Sequence, residues 1–114
     1  MASQMLEMEE RPQPRAMLTE DLFDALFAGC THEHYRAGHH LFMQDDIAER
    51  VYGVIEGAVE IALYSEGGRK LVANLETEKC VFGEIATLDG GTRTATATCL
   101  TDATLVSLSR RQLF

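Results

Sequence analysis

The residues with the clearest chemical potential lie in one short stretch, CVFGEIATLDGGTRTATATCL at positions 80–100. Strand-like pieces flank an insert in which Glu84 to Leu88 can form one helical turn directly after Gly83. A free helix N-terminus offers N–H donors and a partial positive charge, so it favours an anion. Nine residues after Glu84, Arg93 supplies a planar, permanently charged group that fits phosphate oxygens. This stretch therefore contains the parts of a phosphate site.

The neighbouring residues suggest what else such a ligand would carry. Gly83 lets a ligand approach the main chain closely, and Thr92 and Thr94 can add hydroxyl donors. The carboxylate of Glu84 cannot bind phosphate, but it can accept a hydrogen bond from a sugar hydroxyl. A nucleotide with a phosphate beside a ribose 2′-hydroxyl would satisfy both groups. The same spacing also fits an ordinary turn with an exposed Glu84–Arg93 ion pair worth about 0–1 kcal/mol, and the residues alone leave both interpretations open.

The elements that must position this stretch have strand patterns from Thr31 onward. Apolar and polar residues alternate on both sides of a Ser-Glu-Gly-Gly turn at positions 65–68, which predicts a hairpin. Seven or eight short, closely spaced strands indicate a mainly β fold. We expect an antiparallel β-roll or jelly-roll barrel (a double-stranded β-helix) with an N-terminal helix and a short helix in the 80–94 segment. The strand-like segments are 51–55, 59–63, 71–75, 94–100 and 103–108.

Helices are predicted at both ends of the strand region. Thr19 is a suitable N-cap for the segment LTEDLFDALFAG, and Gly29 is a suitable left-handed stop. We expect one face of this helix to be apolar, and Ser109 to cap the first turn of a further helix. Residues 1–17 are interpreted as a tail or lead-in, and residues 18–114 as one domain. The apolar face comprises Leu22, Phe23, Leu26 and Phe27.

Composition limits the classes of partner. The 114 residues carry 10 Lys and Arg against 18 Asp and Glu, a net charge of −8, so binding of nucleic acid by this chain alone is not expected. No apolar run approaches the roughly 18 residues of a membrane span, and the acidic N-terminus lacks a signal-peptide core, so we expect a cytoplasmic protein that does not enter the membrane. The three cysteines have no CxxC spacing and predict neither disulfides nor a zinc site.

Residues Phe82-Gly83-Glu84-Ile85-Ala86-x-Leu88, followed by Arg93-Thr94-Ala95, resemble the phosphate-binding cassette of cyclic-nucleotide-binding domains. This family includes catabolite-activator-type regulators, protein kinase A regulatory subunits and cyclic-nucleotide-gated channels. Gly38-x-x-Leu41-Phe42-x-Gln44 and the strand pair around Gly57 resemble other family motifs. The resemblance implies that Glu84 accepts the ribose 2′-hydroxyl and that Arg93 and nearby amides hold the cyclic phosphate. The implied binding residues are Gly83, Glu84, Ile85, Ala86, Arg93, Thr94 and Ala95.

The resemblance also implies a sensor domain of a regulatory protein, not an enzyme. Its ligand would be cAMP or cGMP. The hydroxyl of Thr94 could bond the 2-amino group of guanine, which would favour cGMP. Bacterial family members with a hydroxyl residue at this position nevertheless resemble cAMP sensors, so we expect cAMP. Asp45 replaces the usual turn glycine, which suggests a left-handed Asp. Family members normally continue beyond the position of Phe114 into lid helices and an output domain. We therefore expect a fragment of a longer regulator, with a homodimer or output domain as further partners.

Three competing interpretations are weaker. His32 and His34 could share a strand face as in metal-binding cupins, but the Glu and later His of such sites are missing, so no metal is expected. No Ser or Cys has a context that would activate it as a nucleophile. An iron–sulfur sensor of the same superfamily would need an N-terminal cysteine cluster, whereas Cys30 stands alone before Cys80. A further alternative is an interaction module that has this fold but binds no nucleotide. The presence of Glu84 and Arg93 argues against it.

Overall fold

Two four-stranded antiparallel sheets form the body of the chain over residues 19–113, the part that this computed structural model describes. One sheet has the order β1-β8-β3-β6 and the other β2-β7-β4-β5. This arrangement confirms the predicted mainly β fold of antiparallel β-roll type. The elements are α1 (Glu20–Leu26), β1 (Glu33–Tyr35), β2 (His40–Phe42), β3 (Arg50–Glu56), β4 (Val59–Tyr64), β5 (Lys70–Glu76), β6 (Val81–Phe82), α2 (Glu84–Asp89), β7 (Thr96–Cys99), β8 (Ala103–Ser109) and α3 (Arg110–Leu113).

Strand β3 is buried on both faces, which explains its nearly continuous apolar sequence, VYGVI. Because successive side chains point to opposite faces, Tyr52 and Val54 enter one apolar cluster while Val51 enters the other. The first cluster also contains Phe82 of β6 and lies beside the 80–94 segment. The core therefore fixes the strand that runs directly behind the candidate phosphate site.

Helix α1 covers the outer face of β3. The side chain of Thr19 accepts a hydrogen bond from the Leu22 amide at 3.2 Å, which confirms the predicted N-cap, and Gly29 is left-handed at φ 81° as expected. Phe23 and Phe27, one turn apart, rest against Gly53, where an added Cβ would lie 2.6–2.8 Å from their rings. The absence of a side chain on Gly53 therefore lets both rings reach the sheet.

The four-residue apolar face of α1 packs against the sheet only in part. Leu22 and Leu26 remain 57% and 37% exposed, whereas Phe23 and Phe27 are buried. The two leucines are displaced by one residue, about 100° around the helix, from the phenylalanines that contact β3. Only one side of the expected face therefore faces the sheet.

Two turns have the predicted backbone. In the β4–β5 hairpin the Ser65 amide donates to the Arg69 carbonyl at 3.0 Å, and Gly68 has a φ of 84°. Asp45 is left-handed at φ 78°, as expected for a residue that replaces the usual turn glycine.

The predicted cap of the last helix is also present. At the end of β8, the Gln112 amide donates to the Ser109 hydroxyl at 3.1 Å and the Ser109 amide donates to the Gln112 side chain at 2.8 Å, so Ser109 caps α3 as expected.

Candidate functional site

The short helix α2 follows Gly83 as the sequence predicts. Gly83 is left-handed at φ 81°, and the helix ends at Gly90, which is also left-handed at φ 73°. It extends one residue beyond the expected Leu88, to Asp89. Because Gly83 has no side chain to cap them, the first amides of α2 receive no N-cap side-chain hydrogen bond. These donors lie where the sequence predicts an anion to approach.

Arg93 is held in place by its own main chain. Its amide donates to the Asp46 carbonyl at 2.7 Å, and its carbonyl accepts from the Asp45 amide at 2.8 Å. Alongside this pair, the Ala48 amide donates to the Gly91 carbonyl at 3.0 Å. The turn between β2 and β3 therefore fixes the segment that presents Arg93.

The guanidinium of Arg93 points inward, beside the start of α2, and the residue is only 4% exposed. Nη1 donates to the Gly83 carbonyl at 2.9 Å and Nη2 to the Arg50 carbonyl at 2.6 Å. Cζ lies 3.9 Å from the centre of the Phe42 ring, a cation–π contact. Burial lowers the pKa of this guanidinium, and the nearby Tyr52, Asp46 and Glu84 oppose that shift.

One donor of this buried group is unsatisfied. The Nε atom of Arg93 is buried and has no hydrogen-bond partner among the described residues. A guanidinium has five N–H groups, and only two of these donate to the carbonyls of Gly83 and Arg50. An unsatisfied buried donor costs about 1–3 kcal/mol, which an anionic acceptor would recover.

Gly83 is required by both its conformation and its surroundings. A Cβ on Gly83 would lie 2.7 Å from Nη1 of Arg93, in a backbone region that other residues adopt at a cost. The main chain and the guanidinium therefore approach each other because the side chain is absent.

All seven residues predicted from the sequence line one cavity of about 110 Å³. Ile85 lies on its outer side and is 60% exposed, whereas Glu84 is partly buried. Three further lining residues were not predicted as binding residues, namely Phe42, Ile61 and Phe82. Phe42 and Phe82 lie within the motifs that carry the family resemblance, so their motif positions could have identified them. Alternation along β4 would have placed Ile61 on the same face as Val59, which is fully buried.

A further residue that sequence reasoning missed is Arg50, which acts through its main chain. Its carbonyl accepts Nη2 of Arg93 and also the hydroxyl of the fully buried Thr87, at 2.9 Å. No sequence signal marks this carbonyl, because its role depends on how β3 and α2 meet in space.

A larger cavity, of about 1060 Å³, lies on the other side of Arg93. Phe42 and Arg93 line both cavities, so their contact forms the boundary between them. Arg93 is the only one of the seven predicted residues that lines the larger cavity. The first residues of α2 line the smaller cavity and not the larger one. We therefore take the smaller cavity as the candidate site.

Two of the four histidines contact threonine hydroxyls on the neighbouring strand. His34 Nδ1 lies 2.9 Å from the Thr104 hydroxyl, and His40 Nδ1 lies 2.9 Å from the Thr98 hydroxyl. Within residues 19–113, no group of three or more His, Cys, Asp or Glu side chains is arranged to hold a metal ion. Over the same residues, no helix has the length and apolar character needed to cross a membrane.

Comparison with known proteins identifies the domain type. Residues 32–114 match the family model described as the cyclic nucleotide-binding domain. A CRP-like cAMP-activated global transcriptional regulator of Mycobacterium tuberculosis is 33% identical over 76 residues, which cover 67% of this chain and 34% of that protein. The cyclic AMP receptor protein of Thermus thermophilus is also 33% identical over 76 residues, with 67% and 35% covered. The chain therefore spans about a third of the length of these curated relatives.

Solved structures give the same fold. The N-terminal domain of a transcriptional regulator from Streptomyces coelicolor has a TM-score of 0.73 and 32% identity, covering 90% of this chain and 74% of that one. The catabolite activator protein of Thermus thermophilus has a TM-score of 0.74 and 27% identity, covering 89% of this chain and 48% of that one. The arrangement of sheets and helices is thus shared with regulatory proteins.

Proposed function

The chain belongs to the cyclic nucleotide-binding domain family, and we propose that its ligand is cAMP, bound in the cavity around Gly83 and Arg93. The domain is of the kind found in CRP-like regulators. The preference for cAMP over cGMP is supported by two relatives, one a cAMP-activated regulator and one a cyclic AMP receptor protein. The observation that carries the proposal is the buried Arg93 guanidinium with its unsatisfied Nε beside the start of α2.

In this proposal the cyclic phosphate is bound by Arg93 and by the first amides of α2. Phosphate oxygens would accept from Nε and from an N–H group that the two carbonyls leave available. The site must supply its positive charge locally, because the chain has a net charge of −8. Arg93 is suited to this role because its charge persists despite the burial that lowers its pKa.

Glu84 provides the complementary acceptor for the sugar. It is partly buried at the N-terminus of α2, and it interacts electrostatically with Arg93. A ribose 2′-hydroxyl can donate to this carboxylate while the adjacent phosphate contacts the guanidinium. Phe42, Ile61 and Phe82 provide apolar walls for the rest of the nucleotide. Thr94 is exposed at the rim, where its hydroxyl could contact a guanine, so cGMP remains the comparison ligand.

We further propose that the domain is a sensor that performs no reaction and acts in the cytoplasm. Binding would order the 80–94 segment and shift the balance between two arrangements of the terminal helices. The longer relatives support a role as one part of a larger regulator, whose remaining domains or partner subunit would produce the output. Nucleic-acid contact would belong to those parts, since this chain is acidic.

The experiment is a calorimetric titration of the chain with cAMP, cGMP, 5′-AMP and adenosine. We expect cAMP to bind most tightly, cGMP more weakly, and adenosine least because it lacks a phosphate. Tighter binding of cGMP would reverse the base preference and leave the phosphate site intact. If the folded chain binds none of the four, the proposal fails, and the interaction module that binds no nucleotide becomes the better interpretation.

A further inference from the structure

Arg110, the first residue of α3, contacts the C-terminal end of the cassette helix α2. Its Nε donates to the Thr87 carbonyl at 2.9 Å. Its guanidinium also lies over Gly90, where an added Cβ would be 3.2 Å from Nη2. The Arg110 amide donates to the Glu49 carbonyl at 2.8 Å, which anchors its main chain beside β3. This side chain therefore joins the C-terminal helix to the nucleotide cassette.

The contact is favourable for a physical reason. The last carbonyls of a helix lack intrahelical partners and form the negative end of the helix dipole. The Thr87 carbonyl is one of these groups, and its other recorded hydrogen bond, from the Gly90 amide, is long at 3.3 Å. A cationic donor at this position satisfies both the hydrogen bond and the dipole.

Thr87 also connects α2 to Arg93, the side chain proposed to bind the phosphate. The buried hydroxyl of Thr87 donates to the Arg50 carbonyl at 2.9 Å, and that carbonyl also accepts Nη2 of Arg93 at 2.6 Å. Three hydrogen bonds thus connect Arg93, through Arg50 and Thr87, to Arg110. Arg110 itself does not line the candidate nucleotide cavity, so it can act on the ligand only through α2.

We propose that Arg110 is a positioning residue for nucleotide binding: it holds α2 in the binding arrangement and couples nucleotide binding to α3. This inference rests on the proposed function. The affinity measured for a ligand is reduced by the fraction of the protein that is not in the binding arrangement. Loss of one partly exposed cation at a helix end should therefore weaken binding by about 2- to 5-fold. Linkage requires the converse effect, so the nucleotide must also stabilise the Arg110 contact.

The test uses three variants of the full chain, with cAMP as the probe. Arg110→Ala removes the donor and the charge. Arg110→Gln removes the charge but keeps an N–H donor at the same number of bonds from Cα as the arginine Nε. Arg111→Ala is the matched control, because Arg111 is the next residue of the same helix, is exposed, and has no recorded hydrogen bond or ion pair with a described residue.

We expect the cAMP dissociation constant to rise about 2- to 5-fold for Arg110→Ala, to rise less for Arg110→Gln, and to stay unchanged for Arg111→Ala. Amide exchange supplies a second readout, measured on the unmodified chain and on Arg110→Ala. In the unmodified chain, cAMP should slow exchange of the residue 110 amide, and Arg110→Ala should abolish this slowing. A purely structural role of Arg110 would change thermal stability but leave the slowing by cAMP at residue 110 the same in Arg110→Ala as in the unmodified chain.

The inference is overturned if Arg110→Ala binds cAMP like Arg111→Ala, or if cAMP leaves exchange at residue 110 of the unmodified chain unaffected. In either case binding by the unmodified chain would leave the proposed function intact. If the unmodified chain itself binds no nucleotide, the proposed function fails and the inference fails with it. Should Arg110→Ala not fold, Arg110→Gln and the exchange measurement on the unmodified chain decide the question.

Discussion

Replacing Arg93 by Ala should affect nucleotide binding and stability to different extents. Hydrogen bonds from a charged group each contribute about 1.5–3 kcal/mol. Loss of one such contact to the phosphate removes about 2 kcal/mol or more, which weakens cAMP binding by at least about 30-fold. The substitution also removes the donors to the carbonyls of Gly83 and Arg50, and the contact with Phe42.

The stability loss should be smaller than the sum of these contacts suggests. The Arg50 carbonyl keeps the hydroxyl of Thr87 as a donor, and removing the guanidinium also relieves the cost of burying a charge and the unsatisfied Nε. We expect the free energy of unfolding to fall by about 1–3 kcal/mol. Arg93→Lys keeps the charge but loses the planar fork, so its affinity should lie between those of Arg93→Ala and the unmodified chain.

The assay is calorimetric titration with cAMP, combined with thermal unfolding of each variant followed by circular dichroism. Arg69→Ala is the control for loss of a positive charge, since Arg69 lies in the β4–β5 turn, away from the cavity. It should bind like the unmodified chain. If folded Arg93→Ala binds cAMP within about twofold of the unmodified chain, the assignment of the phosphate to Arg93 is refuted; twofold corresponds to only about 0.4 kcal/mol.

Three further predictions concern the residues around this group. Gly83→Ala should lower stability by about 1–2 kcal/mol from its left-handed backbone alone and displace Nη1 of Arg93, whereas Gly91→Ala, with open space around it, should be nearly neutral in thermal unfolding. Glu84→Gln should weaken cAMP binding less than Arg93→Ala in the same titration, because the carboxylate also repels phosphate; a larger loss would contradict the assigned roles. Burial, with the hydrogen bond to Glu33, raises the pKa of Tyr35 from 10.0 to about 12, so the folded state retains this proton longer than the unfolded state does. Its stabilising contribution is present below pH 10 and lost between about pH 10 and 12, so Tyr35→Phe should flatten the unfolding temperature against pH over that range; an unchanged slope would contradict the shift.

Local patterns in the sequence predicted the elements because their causes are local. Thr19, Ser109 and Gly68 act through hydrogen bonds or backbone angles within a few residues, and each behaves in the structure as its type predicts. The alternation of apolar and polar residues on both sides of the 65–68 turn likewise predicts the hairpin that β4 and β5 form. The sequence could not show which residues of the apolar face of α1 are buried, because the glycine that receives Phe23 and Phe27 lies in a strand distant along the chain.

In the candidate site, too, the sequence predicted some features, whereas others depend on residues distant along the chain. Its seven residues were identified from a motif, and the structure gathers them around one cavity, although their roles in binding remain predictions. The residues alone left open whether Arg93 points inward or forms an exposed ion pair with Glu84, because its direction depends on a carbonyl of β3 and on pairing with the turn at Asp45 and Asp46. The contact of Arg110 with Thr87 was also inaccessible to sequence reasoning, since it joins two helices that meet only in the folded chain.

The most direct test observes the guanidinium itself during binding. Nitrogen–proton correlation spectra of the labelled chain would follow the Arg93 Nε–H and the amides at the start of α2 as cAMP is added. The account predicts that the Nε–H signal moves to lower field as it gains a phosphate acceptor, with Glu84 and Ile85 amides shifting at the same nucleotide concentrations. Saturable binding that leaves the Arg93 Nε–H signal unmoved would contradict the account.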